Sequence, residues 1–251
     1  MMKKRQILER AGAVFFALAL WQAAAMLLNQ RILLVTPVSV VRRLGTLLFE
    51  SGFWSTVGFS FLRIEAGFFL GLFIGTVLAV CSARFHLIET MLWPFMTVAK
   101  TVPVASFIII CLIWLDASSL SVFISFLMVF PIVYFNVLQG MKSTDRSMLQ
   151  MADIFRVSYK RRLFYIYMPQ VRPFFTSACA AALGISWKAG IAAEVIGIPN
   201  GSIGERLYEA KIYLNTADLL AWTVVIVLIS VAFEKLFMKL IQRCFAGLER
   251  L

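Results

Sequence analysis

Residues 150–169 read QMADIFRVSYKRRLFYIYMP, a basic and partly amphipathic stretch that lies between two long apolar segments. Such a stretch adds nothing to the stability of a protein within a bilayer. Its length, its charge and the closing Pro169 predict a short pair of helices that lie at the cytoplasmic surface of a membrane. We therefore expect this stretch to be available for contact with another protein.

The composition of the whole chain is that of a membrane protein. Of the 251 residues 61% are hydrophobic, and the mean hydropathy is +0.87, whereas soluble globular proteins contain about 45–50% apolar residues. Apolar runs long enough to cross roughly 30 Å of hydrocarbon recur along the chain. We predict an all-α polytopic protein in which residues 1–251 form a single transmembrane domain. Six spans are predicted, at about residues 11–28, 59–83, 88–114, 120–138, 174–198 and 219–240.

The basic residues predict the orientation of the chain. The formal net charge of +11 is also typical of proteins that bind nucleic acid. The basic residues, however, lie mostly between the apolar spans, and most of the 24 fall on one side if the N-terminus is cytoplasmic. The positive-inside rule therefore predicts a multi-pass protein of the inner, or plasma, membrane with both termini in the cytoplasm and no nucleic-acid partner.

Two patterns concern the packing of helices. Thr36 and Pro37 open a segment with apolar residues on one face, which predicts a short amphipathic helix on the outer surface. In the second span, glycine recurs at every fourth position, which removes side chains from one stripe and lets another backbone approach closely. These helix-packing residues are Gly67, Gly71 and Gly75. Packing within the chain is the favoured interpretation, and a contact between two copies is the alternative.

Ionisable residues within the spans are costly to bury and are therefore candidates for function. Three of them, together with a proline that predicts a kink or break in the third span, are predicted to line a polar path or hold a gate. These residues are Lys100, Pro103, Lys188 and Glu194. About 9 Å of helical rise and about 120° separate Lys188 from Glu194, so the two are not expected to pair within one helix. The alternative to a path or gate is a structural ion pair between helices. Arg63 and Glu65 are expected to reach the surface near the outer end of the second span.

The sequence lacks the motifs of several enzyme classes. It contains no G-x-x-x-x-G-K-[ST] loop for ATP, no H-E-x-x-H and no G-x-S-x-G. His86 is the single histidine, and the four cysteines are scattered in or beside apolar segments without a C-x-x-C pair. We therefore predict no catalytic residue, no metal site and no cofactor held by this chain.

The charged stretch resembles the cytoplasmic coupling loop of bacterial ABC-importer permeases, whose pattern is E-A-A-x3-G-x9-I-x-L-P. When the two are aligned on Pro169, Ala152 and Ile166 match the pattern and Met168 replaces its leucine conservatively. The positions that depart from the pattern are Gln150, Met151 and Arg156.

Segments on both sides of the loop are similar to permeases of the nitrate/sulfonate/taurine group. The similarity runs in order from about residue 37 to residue 237. The segments that carry it are FLRIEAGFFLG at 61–71, the pattern Lys100…Pro103…Ile113-Trp114, SWK at 186–188, AEVIG at 193–197 and GSIG at 201–204. The chain is therefore identified as similar to the inner-membrane component of a binding-protein-dependent importer.

This resemblance implies a fold and a set of partners. The fold is that of a type I importer permease, with six transmembrane helices and cytoplasmic coupling helices. The partners are a second copy of the chain, two ABC ATPase subunits that bind the ATP, an external substrate-binding lipoprotein or periplasmic protein, and the bilayer. The chain itself is then not an enzyme. Within a coupling loop at 142–170, the residues expected to act on the ATPase are Gln150, Met151, Ala152, Phe155, Arg156, Arg161, Arg162 and Pro169.

Arg156 stands where the pattern has glycine. Glycine permits a left-handed backbone conformation that arginine tolerates poorly. We therefore expect a continuous helix or a different turn at this position, with the guanidinium available to an acidic groove of the partner.

The resemblance implies import of a small solute such as nitrate, a sulfonate, taurine or a thiamine precursor. A second class is a secondary transporter or channel that works without an ATPase. Such proteins often contain inverted repeats, and none is visible in this sequence. A third class is a membrane scaffold that transports nothing.

Overall fold

A computed structural model describes residues 2–28, 30 and 32–248 of the chain. Within these residues the chain forms eleven α-helices and one five-residue π-helical turn, and no strand. The all-α prediction is thus confirmed for this part of the chain. The helices are α1 Met2–Leu28, α2 Pro37–Leu47, α3 Phe53–Arg84, α4 His86–Thr101, α5 Val104–Cys111, α6 Ala117–Lys142, α7 Arg146–Ile154, α8 Tyr159–Arg162, the π-helical turn Leu163–Tyr167, α9 Met168–Gly197, α10 Ile203–Ile212 and α11 Thr216–Leu248.

Three helical stretches of the described chain are long and apolar enough to cross a membrane. They are α3, α6 and the continuous run Tyr159–Gly197, and the bent pair α4 and α5 raises the count to four if it forms one span. The apolar part of α1, Gly12–Leu28, is shorter. Helix α11 has 33 residues, of which 219–233 carry no charge. The total of six spans stays a prediction.

Helices α3, α6 and α9 form the centre of the molecule. Their buried apolar side chains include Phe68, Val133 and Leu183. The glycine stripe of α3 faces α6 within the same chain. A β-carbon at Gly67 would overlap the carbonyl oxygen of Val122, and one at Gly71 would lie 2.8 Å from the Val129 side chain. Gly75 meets the backbone of Phe130 in the same way, so the stripe lets two spans approach closely.

The predicted break at Pro103 is present. Helices α4 and α5 meet at an angle of 105°. Val102 has an extended backbone, with φ −64° and ψ 130°, because the ring of a following proline disfavours the helical conformation. Pro103 then becomes the residue that precedes α5.

The predicted amphipathic helix is α2. Thr36 precedes it and accepts a hydrogen bond from the Ser39 amide, and Pro37 occupies the first helical position, where its missing N–H costs nothing. Helix α2 buries Val40 and Leu47 and packs against α11. Arg43 on α2 pairs with Asp218 of α11, and this contact raises the pKa of the guanidinium.

Helix α9 joins two ends of the molecule. Its 30 residues span about 45 Å. Its N-terminus follows α7, α8 and the π-helical turn, which we call the α7 end. Its C-terminus leads into α10, which lies against α9 and α11; we call this the α10 end. The N-terminus of α3 lies at the α10 end, since Phe53 and Arg206 of α10 line one cavity.

Candidate functional site

The first helix of the charged stretch, α7, has a well-defined start. Asp145 precedes it, and its carboxylate accepts hydrogen bonds from the Ser147 amide at 2.9 Å and the Ser147 hydroxyl at 2.6 Å. These bonds lower the pKa of Asp145 and satisfy one of the amides that lack an intrahelical partner. The Asp145 amide donates to the side chain of Gln170 at 3.0 Å, which ties α7 to the start of α9.

The expected backbone conformation of Arg156, a continuous helix or a different turn, was wrong. Arg156 has φ 51°, the left-handed conformation that glycine adopts readily. The Val157 amide donates to the Ala152 carbonyl at 2.9 Å, and the Arg156 amide donates to the Asp153 carbonyl at 3.0 Å. This pair of bonds is the Schellman motif that ends many helices. The turn of the glycine pattern is therefore present although the glycine is not.

The side chain of Arg162 stabilises this turn. Its Nε donates to the Val157 carbonyl at 2.7 Å, and its Nη2 donates to the Ala152 carbonyl at 3.2 Å. Its remaining nitrogen pairs with the Asp153 carboxylate. One planar guanidinium thus joins three groups of the turn, a geometry that suits arginine and not lysine. Of the predicted coupling residues, Arg162 therefore braces the loop from within.

Most of the other predicted coupling residues lie on the surface of the α7 end. Met151 and Phe155 are 54% and 74% exposed, and Gln150, Arg156, Arg161 and Pro169 are exposed as well. Ala152 differs, because it is buried. Ile154, which the sequence also places on the helix expected to dock on the ATPase, is 78% exposed. We call Gln150, Met151, Ile154, Phe155 and Arg156 the α7 face.

The π-helical turn connects this face to the membrane-spanning part. It covers Leu163–Tyr167, and α9 follows without a break from Met168. Pro169 lies within the continuous run Tyr159–Gly197, directly after the π-helical turn. Because proline has no N–H to donate, it removes one backbone hydrogen bond from this run. Because π-helical turns are rare and concentrate at functional sites, this junction is a candidate for the transmission of movement.

The structure does not bring the four predicted path or gate residues together. Lys100 is exposed on α4, with its Nζ 5.5 Å from the centre of the Phe135 ring. Pro103 lies at the break between α4 and α5. Lys188 is exposed on α9, and no acidic side chain of the described chain pairs with it. Glu194, by contrast, is fully buried.

Glu194 belongs to a polar cluster that joins three helices. Its Oε2 accepts hydrogen bonds from the Ser60 hydroxyl of α3 at 2.7 Å and from the Gly204 amide of α10 at 3.2 Å. The Ser60 hydroxyl also accepts a bond from the Ile203 amide at 2.9 Å. The sequence prediction missed Ser60, whose only signal was a hydroxyl within an apolar span.

The expectation that Glu65 reaches the surface was wrong. Its side chain is buried and accepts a hydrogen bond from Nε1 of Trp187 on α9 at 2.8 Å. Arg63 turns toward α6, where it donates to the Ser118 carbonyl and lies 3.8 Å from the centre of the Phe59 ring. A buried carboxylate is tolerated because a hydrogen bond compensates part of the lost solvation.

Comparisons with known proteins agree with this architecture. Residues 67–247 match the family described as the binding-protein-dependent transport system inner membrane component. The chain is 25% identical over 246 residues to the taurine transport system permease protein of Escherichia coli, covering 95% of this chain and 89% of that protein. It is 23% identical over 229 residues to the putative aliphatic sulfonates transport permease protein of Bacillus subtilis, with coverage of 90% and 82%.

A solved structure shares the fold. The crystal structure of an amino acid ABC transporter with histidines superimposes with a TM-score of 0.54 at 18% identity, and the match covers 86% of this chain and 99% of that one. The family match covers most of the chain, and the helical architecture is that of a multi-pass membrane protein. The chain therefore belongs to the family of inner-membrane components of binding-protein-dependent transport systems, as a permease subunit of an ABC importer.

Proposed function

We propose that two copies of this chain form a path for a small polar solute, that two ATPase subunits grip them at the α7 face, and that an external binding protein delivers the solute at the α10 end. The observation that carries this proposal is the α7 face itself. It presents three exposed apolar side chains and one cation on α7 and the two residues that follow it, and hydrogen bonds hold both ends of this helix. Exposed apolar groups on a fixed helix are typical of a docking element.

The orientation follows from the basic residues. Lys160 and Arg161, both exposed, lie beside the α7 face, and the α7 end also carries Arg84, whose guanidinium lies 5.1 Å from the centre of the Tyr159 ring. An excess of lysine and arginine favours the cytoplasmic side. The α7 end is therefore cytoplasmic in this proposal, both termini lie in the cytoplasm, and the α10 end faces outward. The stretch 142–170 is then the coupling loop.

The path is proposed to run along the surfaces that carry Lys100 and Lys188. Both cations are exposed at membrane depth, where charge is costly unless it faces water, protein or solute. A second copy packed against both of these surfaces would enclose the two cations. Pro103 lies at the 105° bend between α4 and α5, close to Lys100 in the chain, and is proposed as the hinge of a gate.

The solute class is proposed from the relatives. Their names specify taurine, aliphatic sulfonates, formylaminopyrimidine and bicarbonate. Most of these solutes are small and are either oxyanions or zwitterions. We propose a small sulfonate or a similar polar solute, recognised first by the external binding protein.

The first test is purification of the tagged chain from mild detergent, with mass spectrometry and an ATPase assay of what accompanies it. A P-loop ATPase in stoichiometric amount and vanadate-sensitive turnover are expected. A lone, folded chain without ATPase activity would contradict the proposal and favour a secondary transporter.

The second test concerns the α7 face. In the double variant Phe155→Asp with Arg156→Glu, the amount of ATPase that copurifies with the chain is expected to fall at least tenfold. The variant places a charge in an apolar contact and replaces the cation by an anion. Arg243→Glu is the matched control, since Arg243 is also exposed but lies on α11. Equal recovery of the ATPase with both variants would exclude the α7 face as the docking element.

A further inference from the structure

The N-terminus of α10 is held by other helices at the point where a helix lacks partners of its own. The first amides of any α-helix have no intrahelical acceptor. In α10 the Ser202 hydroxyl accepts from the Glu205 amide at 2.9 Å, Ser60 of α3 accepts from the Ile203 amide, and Glu194 of α9 accepts from the Gly204 amide. Two of these three acceptors therefore come from membrane-spanning helices.

We propose that Glu194 is a positioning residue of the importer, whose carboxyl oxygen fastens α10 to the end of α9 so that α10 follows every movement of that helix. This inference rests on the proposed coupling at the α7 face. It assigns Glu194 a role different from lining the path, because the side chain is fully buried between helices.

The contact between α9 and α10 is too close to allow sliding. A β-carbon at Gly204 would overlap the β-carbon and carbonyl carbon of Glu194 and would lie 2.6 Å from the Val195 amide nitrogen. Ile203 and Gly204 are both buried at this junction. The backbone of α10 thus rests directly on the backbone of α9, and the hydrogen bond to Glu194 fixes its direction.

Helix α9 connects this junction to the coupling loop. It runs continuously from Met168 to Gly197, and it contains no proline beyond Pro173. Helix α10 in turn lines a cavity of about 390 Å³ at the α10 end through Arg206 and Glu209, and Tyr213, directly after the helix, lines it as well. A tilt of α9 that begins at the ATPase therefore arrives at the surface where the external binding protein is proposed to dock.

Two substitutions of Glu194 can test the position of the acceptor oxygen and the charge of the carboxylate independently. Both hydrogen bonds end on Oε2 of Glu194, and Oε1 takes part in neither. Glu194→Gln therefore keeps the acceptor and loses the charge. Glu194→Asp keeps the charge but withdraws the acceptor by about 1.5 Å, one carbon–carbon bond. A positioning role predicts that the glutamine variant works and the aspartate variant fails, whereas a charge in the path predicts the reverse order.

The experiment is hydrogen–deuterium exchange of the full complex with its ATPase in nanodiscs, with and without trapping by ATP and vanadate. In the wild type and in Glu194→Gln, trapping is expected to change exchange both in 146–157 and in 203–212. In Glu194→Asp, the exchange rate of residues 203–212 is expected to rise at least tenfold and no longer to change on trapping. The exchange of residues 146–157 is expected to change on trapping as in the wild type. Glu65→Asp is the matched control, because it shortens a buried carboxylate whose hydrogen bond goes to Trp187 of α9.

The outcomes are distinct. An α10 that responds in Glu194→Asp as it does in the wild type would overturn the positioning role, and so would a loss of response in Glu194→Gln alone. A faster exchange of α10 in Glu65→Asp would also overturn it, since any buried carboxylate would then have the same effect. If residues 146–157 of the wild type do not respond to trapping, the proposed coupling itself is wrong.

Discussion

At the scale of single residues, the two most informative side chains are an arginine where glycine is usual and a second arginine that compensates for it. The left-handed conformation costs a residue with a β-carbon about 1 kcal/mol relative to glycine. Arg156 nevertheless adopts it, since the guanidinium of Arg162 binds carbonyl groups on both sides of the turn. Neither the motif spacing nor the local propensity of the sequence contains that interaction.

Arg156→Gly is expected to keep the turn and to stabilise it by about 1 kcal/mol, because glycine removes the strain of the left-handed backbone. The same variant removes the cation of the α7 face. Slower amide exchange in 153–157 together with weaker recovery of the ATPase would be the combined result. Unchanged recovery would show that the cation takes no part in docking.

Arg162→Lys is expected to destabilise the loop by about 1.5–3 kcal/mol, the range for hydrogen bonds made by a charged group. Lysine has no planar fork with which to reach Val157, Ala152 and Asp153 at once. Amide exchange in 152–157 measures the effect, and Arg161→Lys is the control because Arg161 is exposed. Equal exchange in the two variants would argue against the brace.

At the scale of helices, the glycine stripe of α3 determines how closely two spans approach. Glycine at every fourth position is visible in the sequence, but the partner of the stripe is not. The structure places α6 against it, with Val122, Val129 and Phe130 in contact range of the three glycines. The favoured interpretation, packing within one chain, is the arrangement observed.

Gly67→Ala is expected to lower the stability of the protein by about 1–3 kcal/mol, because the added methyl group overlaps the Val122 carbonyl oxygen. Gly58→Ala is the matched control on the same helix, since a β-carbon there meets nothing within 4 Å. It should leave stability unchanged or raise it slightly, as alanine favours helix more than glycine. Thermal unfolding in detergent compares the two variants, and equal midpoints would contradict the packing described.

At the scale of the whole molecule, orientation is a prediction from charge that accessible cysteines test. Cys244 is exposed near the end of α11, and Cys111 and Cys179 are buried, while the half-buried Cys81 is replaced by serine in every chain tested. If the C-terminus is cytoplasmic, a membrane-impermeant maleimide should label Cys244 in inverted vesicles and not in intact spheroplasts. With Cys244→Ser as background, Lys211→Cys on α10 should show the opposite behaviour. Labelling of Cys244 from outside would reverse the proposed topology.

The amino-acid order alone suffices for the class of protein, for the family and for the approximate places of the long apolar helices, and it predicts the coupling loop. Hydropathy, charge and proline act locally along the chain, so their effects are readable without knowing which segments meet. The break at Pro103 and the helix after Thr36 were predictable for the same reason.

The partners of the buried polar groups depend on tertiary packing. Glu194 and Ser60 are 134 residues apart in the chain, and no periodicity of the sequence relates them. Glu65 likewise turns to Trp187 instead of the membrane surface. A carboxylate within an apolar span must find a hydrogen bond wherever the packed helices offer one, and that place exists only once α3, α9 and α10 have come together.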